Sequence, residues 1–288
     1  MQKITPCLWF DNQAEEAINF YISIFDNARM VEANRNADGS LFTATFQLVG
    51  QEFMALNGGP EFKFTPSVSF FVTCETTVEV DDLWQKLSEE GKVLMPLDTY
   101  PFSEKFGWLE DKYGLSWQLN VGSGSQKITP FFMYVGAQGQ AEEAIKLYTA
   151  LFADAHINHI ERFAEGEGGV VGAVKLAIFT LHGQQFMAMD GGVGHMFSFT
   201  EANSFFVNCD TQAEVDVLWQ RFTEEGEESM CGWLKDKYGV SWQIIPTALM
   251  EMLGDEDPEK AKRVMDAMLQ MQKIDVQKLE AARDNVDG

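Results

Sequence analysis

The residue types that most often do chemistry are sparse in this chain and poorly spaced for it. Cys7, Cys74, Cys209 and Cys231 show no C-x-x-C pairing, so neither a zinc knuckle nor a redox dithiol is indicated, and reduced, mostly buried thiols are expected. Cys231, beside Gly232 and Trp233, has no histidine in a matching motif to act as its base, which argues against a nucleophilic role. The four histidines, His156, His159, His182 and His195, all fall in the second half. His156 and His159 are an odd number of residues apart on an expected strand and should face opposite ways, and His182 precedes Gly183 in a turn. Structural or solvent-facing roles are therefore expected, and no metal site. The polar candidates for a small-molecule site are amides and hydroxyls. Gln118 shares a strand face with Ser116 and Asn120, and Gln243 with Ser241, while Trp117 and Trp242 take the opposite face. A glutamine in an apolar cleft offers a donor and an acceptor; the alternative is that it satisfies neighbouring backbone. Asn57 and Asp190, each before a Gly-Gly pair, are second candidates, with a turn-forming role as the competing reading.

The elements that must position these residues come from an internal duplication. Gly107 to Leu119, GWLEDKYGLSWQL, returns at Gly232 to Ile244 as GWLKDKYGVSWQI, with 10 of 13 positions identical. Each copy reads as a hairpin. The stretches AEEAINFY and AEEAIKLY, GQEFMALNGG and GQQFMAMDGG, and SFFVTCET and SFFVNCDT recur in the same order. The division is repeat 1 over residues 1–121, a flexible GSGSQ linker over 122–126, repeat 2 over 127–246 and a helical tail over 247–288. In repeat 1 the periodicity predicts strand Ile4 to Phe10, helix Asn12 to Phe25, and strands Ala28 to Arg35, Leu41 to Leu48 and Glu52 to Leu56. A second βαβββ unit starts near Ser67, with a helix from about Val78 to Glu90 and a short strand near Val93 before the hairpin. Repeat 2 follows the plan but replaces Lys92 to Phe106 with only Glu227 to Cys231. The tail carries an Asp257-Pro258 helix start and an apolar stripe of Ala261, Val264, Met265, Met268, Leu269 and Met271, with Asp275 capping a last helix. It either docks on its own domains or serves a partner.

Net charge of −23 opposes nucleic acid and anionic membranes as partners. No uncharged apolar run nears the roughly 18 residues of a membrane span, and no leader precedes the first strand. A cytoplasmic protein is expected.

The ITPCLWF opening, the AEEAINFY helix and the CGWLKDKYGVSWQI hairpin resemble the PhnB-like family of the vicinal oxygen chelate superfamily, the glyoxalase and bleomycin-resistance fold. That family carries a label as a 3-demethylubiquinone methyltransferase domain. The resemblance implies an α+β protein of tandem glyoxalase-like domains built from paired βαβββ modules, packed as an intrachain pseudo-dimer with further homodimerisation open. It also places the metal positions of metal-dependent relatives at Gln118 and Gln243 on the last strands and at Thr5, Ser67, Thr129 and Ala202 at strand starts. None of these is His or a carboxylate, so no metal and no cofactor is expected, and Thr5 and Ser67 join the ligand-binding candidates. No strand followed by a Gly-rich turn and helix appears, which tells against methyl transfer. Two classes stay open: a metal-independent binder of a small molecule, and a lyase, isomerase or dioxygenase-like enzyme whose catalytic group the sequence does not reveal. Repeat 1 is expected to keep the better enclosed cleft.

Overall fold

A computed structural model describes residues 2–124, 126–136, 140–192 and 194–285; Ser125 of the linker lies outside them. The chain forms four βαβββ modules. The first holds β1 (Ile4–Phe10), α1 (Ala14–Ile24), β2 (Arg29–Arg35), β3 (Leu41–Leu48) and β4 (Gln51–Asn57); the second holds β5 (Val68–Cys74), α2 (Thr77–Ser88), β6 (Lys92–Tyr100), β7 (Ser103–Glu110) and β8 (Ser116–Val121). The third holds β9 (Ile128–Val135), α3 (Ala141–Leu151), β10 (His156–Arg162), β11 (Val174–Leu181) and β12 (Gln184–Gly192). The fourth holds β13 (Asn203–Cys209), α4 (Gln212–Thr223), β14 (Glu227–Glu228), β15 (Trp233–Lys235) and β16 (Ser241–Pro246). Helices α5 (Thr247–Leu253), α6 (Pro258–Met268) and α7 (Val276–Asp284) follow. The expected elements are present, and β6 is a full strand where a short one was expected.

Two compact units divide the chain, Pro6–Asn203 and the remainder. Within the first, the second and third modules build one eight-stranded sheet in the order β10-β11-β12-β9-β5-β8-β7-β6. Its centre is an antiparallel ladder between β5 and β9, Val68 opposite Phe132 through Val72 opposite Ile128. The sheet therefore crosses the linker, and each repeat contributes half of it. The sheet edge that one module leaves unpaired is covered by a strand of the other copy, which removes an exposed edge. Two hydrogen bonds repeat the relation: Thr65 Oγ1 donates to Ser198 O and Thr200 Oγ1 to Lys63 O, both at 2.7 Å. Matched residues exchanging contacts is the signature of an isologous pair, here within one chain. The first module adds β1-β4-β3-β2, with β1 parallel to β4 from Cys7 opposite Met54 to Phe10 opposite Asn57. Its helix α1 buries Ala14, Ala17, Ile18 and Tyr21, in one core with Phe70, Leu83, Leu109 and Trp117.

The second unit holds β14-β15-β16-β13 and the tail. Helix α6 starts as its sequence dictates, with the Asp257 side chain accepting from Glu259 N and Pro258 in its first turn, and Asp275 caps α7 through Lys278 N. Val264, Ile274 and Leu279 are fully buried, so the tail packs on its own unit. Of the expected stripe, Leu269 is half exposed. The tail also supplies backbone. Cys231 N donates to Met271 O at 2.7 Å and Gly232 N to Gln272 O at 2.8 Å. In repeat 1 the matching residue Phe106 lies opposite Asp98 of β6, the strand of which repeat 2 keeps only β14. The segment 271–272 thus pairs with backbone that the deletion would have orphaned.

Candidate functional site

The repeated hairpin motif is first of all a structural device. Asp111 is buried; its Oδ1 accepts from Tyr113 N at 2.9 Å and Leu115 N at 3.0 Å, and its Oδ2 accepts from Trp117 Nε1 at 2.9 Å and Tyr21 Oη at 2.8 Å. Asp236 repeats this with Tyr238 N, Val240 N and Trp242 Nε1. Gly114 and Gly239 close the turns at φ +87° and +90°, where a side chain would be strained. Burial drives the Asp111 carboxyl above its ordinary range against the pull of those donors, and burial followed by the Asp111 charge drives the Tyr21 hydroxyl well up. This Asp is the group that sequence reasoning missed; its signal was its recurrence in both copies.

Locked in this way, Trp117 fills the helix-side core and Gln118 is held on the other face of β8. Gln118 Nε2 donates to Ser69 Oγ at 2.7 Å, and both residues are buried. The Gln118 Oε1 accepts no hydrogen bond from the described residues. Around this pair the sheet face is apolar. Phe106, Trp108 and Met133 are buried there, with Phe71, Met95, Met189 and Phe197 packed against them. These side chains come from β5, β6, β7, β9, β12 and the loop after β12, which are not all neighbours in the sheet, so the sheet curls around a shared floor. Phe71 lies 6.4 Å from Phe106 and 6.5 Å from Phe131, centroid to centroid. Trp108 is fixed by its Nε1 donating to Ser116 Oγ at 2.8 Å.

The other expected site residues are placed as follows. Ser116 lies on this face but is occupied by Trp108. Asn120 is half-buried with its Nδ2 on Val121 O at 2.9 Å. Ser67 is buried with its Oγ 3.2 Å from Thr65 Oγ1, and its carbonyl accepts from Met133 N. Asn57 and Asp190 instead face the helices. Asn57 Oδ1 accepts from Ala14 N and its Nδ2 donates to Leu41 O, both at 2.9 Å. Asp190 Oδ1 accepts from Gln140 N at 2.8 Å and Ala141 N at 2.9 Å, and its Oδ2 from Val174 N at 2.8 Å. Both cap, from a neighbouring strand, helices whose own N-cap glutamines make no side-chain bond. In the second unit Gln243 Nε2 donates to Ser204 Oγ at 2.9 Å, Thr5 is buried, and the buried Ser241 Oγ has no partner among the described residues. Ser69 and Ser204, missed from sequence, are matched positions of SFFV that travel with the glutamines.

The donor set does not fit a divalent first-row ion. The strand-start and last-strand positions carry hydroxyl, methyl and amide groups, and among the described residues no group of three His, Cys, Asp or Glu side chains is placed to hold a metal. One expectation about the histidines is corrected. His156 lies opposite Thr180 and His159 opposite Ile178, with a bulge between, so the extra residue restores both rings to one face of β10. His156 meets Asn158 at 3.1 Å, His182 sits in the turn at φ +47°, and His195 packs on Phe197 at 5.0 Å.

Known proteins fit this architecture. The model of the 3-demethylubiquinone-9 3-methyltransferase family matches residues 2–120 and again 126–245. The chain belongs to this family. A solved PhnB protein from Bacillus cereus, described as a putative 3-demethylubiquinone-9 3-methyltransferase, is 50% identical over 42% of this chain and 100% of its own, with a TM-score of 0.41. A protein from Staphylococcus aureus is 36% identical over 43% of this chain and 98% of its own, TM-score 0.19. Glyoxalase I from Zea mays, at 10% identity, covers 83% of this chain and 89% of its own with a TM-score of 0.55, which shows the tandem glyoxalase-like fold and no more. No curated protein matches the chain. As a PhnB-like protein of the vicinal oxygen chelate fold, the chain carries both copies of the family unit, and no helix among the described residues is long and apolar enough to cross a membrane.

Proposed function

We propose that this PhnB-like protein is a metal-independent binder of a small molecule, held on the helix-free face of the eight-stranded sheet. The observation that carries this reading is the Gln118–Ser69 pair, a single polar anchor with a free amide oxygen on a floor of Phe71, Phe106, Trp108 and Met133. Such a floor removes apolar ligand surface from water, and the one anchor orients it. Acid–base catalysis finds little support: Asp190 caps a helix, and Glu110 pairs with Lys92 at 2.9 Å. Methyl transfer, the activity in the family description, lacks the doubly wound sheet and Gly-rich turn that bring backbone close to such a cofactor. Buried thiols at Cys7, Cys74 and Cys209, none in a disulfide, suit a reducing cytoplasm.

Native mass spectrometry of the freshly purified full chain, with metal analysis of the same sample, tests the reading. A metal-free mass with a small organic adduct is expected, and Gln118→Leu and Trp108→Leu should each strip the adduct. A stoichiometric transition metal, or an adduct indifferent to both substitutions, would overturn it.

A further inference from the structure

A cavity of about 310 Å3 lies at the end of β1, where the loop after β4 meets the turn of the β7–β8 hairpin. Its walls are aromatic: Trp9, Phe62, Phe64 and Tyr113, with Asp11 and Lys63 at the same cavity. The walls are set before any ligand arrives. Trp9 Nε1 donates to Gly59 O at 2.8 Å, and its ring lies so flat on Gly58 that a Cβ there would sit 2.2 Å from ring carbons. Phe62 meets Trp9 edge-on at 5.0 Å, and Phe64 and Tyr113 both flank Phe10, at 5.2 and 6.4 Å. The conformational cost of forming a ring-binding slot is thus met by folding.

Lys63 gives the cavity its charge preference. In a chain with 44 acidic and 21 basic residues, Lys3, Lys86, Lys105, Lys127 and Lys175 each hold a carboxylate. Lys63 is exposed and makes no ion pair with the described residues. The duplication provides a control. Aligning the repeats places Met133 where Trp9 stands, Ser198 where Lys63 stands and Val135 where Asp11 stands, while Phe62, Phe64 and Tyr113 keep aromatic counterparts in Phe197, Phe199 and Tyr238, so the indole wall and the charge are particular to repeat 1.

We propose that this cavity binds a small aromatic monocarboxylate, its ring against Trp9 and its carboxylate on Lys63. The volume stands at the lower end for ligand pockets, which suits one ring. Asp11 beside Lys63 disfavours a second negative charge on the ligand. The site is separate from the Gln118 face, and each stands or falls alone.

Titration of the full chain by calorimetry, with phenylacetate as probe and benzylamine, acetate and isophthalate as comparators, tests the proposal. Phenylacetate should saturate one site per chain, more tightly than any comparator. Lys63→Met, an exposed substitution that leaves the fold intact, should weaken it about fivefold, and Trp9→Leu should weaken it further. Gln118→Leu should leave it unchanged. Absence of saturable binding, equal binding of benzylamine, or a loss that follows Gln118 rather than Lys63 would overturn the assignment.

Discussion

Asp111 shows how one side chain can make a recurring motif look functional. It satisfies two backbone N–H groups, an indole and a phenol at once, so Asp111→Ala would strand several buried donors. The expected cost is about 3 kcal/mol or more in urea unfolding. A loss under 1 kcal/mol would contradict the role given to it. The cysteines make a second residue-scale prediction. Burial pushes the Cys74 and Cys209 thiols from 9.0 up to about 12. A pKa raised in the folded state stabilises below the unfolded value and is lost as pH climbs through the folded one. Stability should therefore fall above pH 9, by about 1 kcal/mol per thiol for each pH unit up to about 12, and Cys74→Ala with Cys209→Ala should flatten that slope in thermal scans. Residue-level reading set Gln118 and Trp117 on opposite faces of β8, as their partners Ser69 and Asp111 have them, because strand alternation is purely local. It failed at Asn57 and Asp190, whose partners are the starts of helices far away in sequence.

Among the elements, the tail explains how the shortened fourth module survives. Residues 271–272 bond the backbone of Cys231 and Gly232, and Gln212 ties Ile274 and Val276 on both sides, its Nε2 donating to Ile274 O and its Oε1 accepting from Val276 N. Ile274→Ala should cost about 2–4 kcal/mol, since it empties a fully buried site. Removing residues 270–288 should expose Cys231 to a thiol reagent with no change in oligomeric state. If labelling of Cys231 stays slow in the truncated chain, the patching role is wrong. The tail helices and their caps were legible as Asp-Pro and apolar spacing. Their docking place was not, because the backbone groups they satisfy are orphaned only by a deletion some forty residues upstream. The bulge in β10 escaped for a related reason: one extra residue reverses every facing that alternation assigns after it.

For the whole molecule, the ladder between β5 and β9 makes the two copies inseparable in the first unit. Residues 1–121 expressed alone would leave the β5 edge bare, and edges of this kind seek a partner. Light scattering should find that fragment as a dimer, two copies standing in for the tandem pair; a stable monomer would show that the edge does not need covering. Duplication followed by fusion turns that bimolecular step into an intramolecular one, at an effective concentration set by the short linker.

Two copies, their βαβββ order and the hairpins were all determined by the sequence itself, because each rests on short-range periodicity or direct comparison of one half with the other. Which strands share a sheet was decided only in three dimensions, since pairing across residues 122–126 depends on edges that no local pattern reports. The same is true of both candidate sites. The floor around Gln118 draws on five strands and a loop, and the slot at Trp9 and Lys63 draws on β1, a loop and a distant turn, so only the folded chain brings their chemistry together.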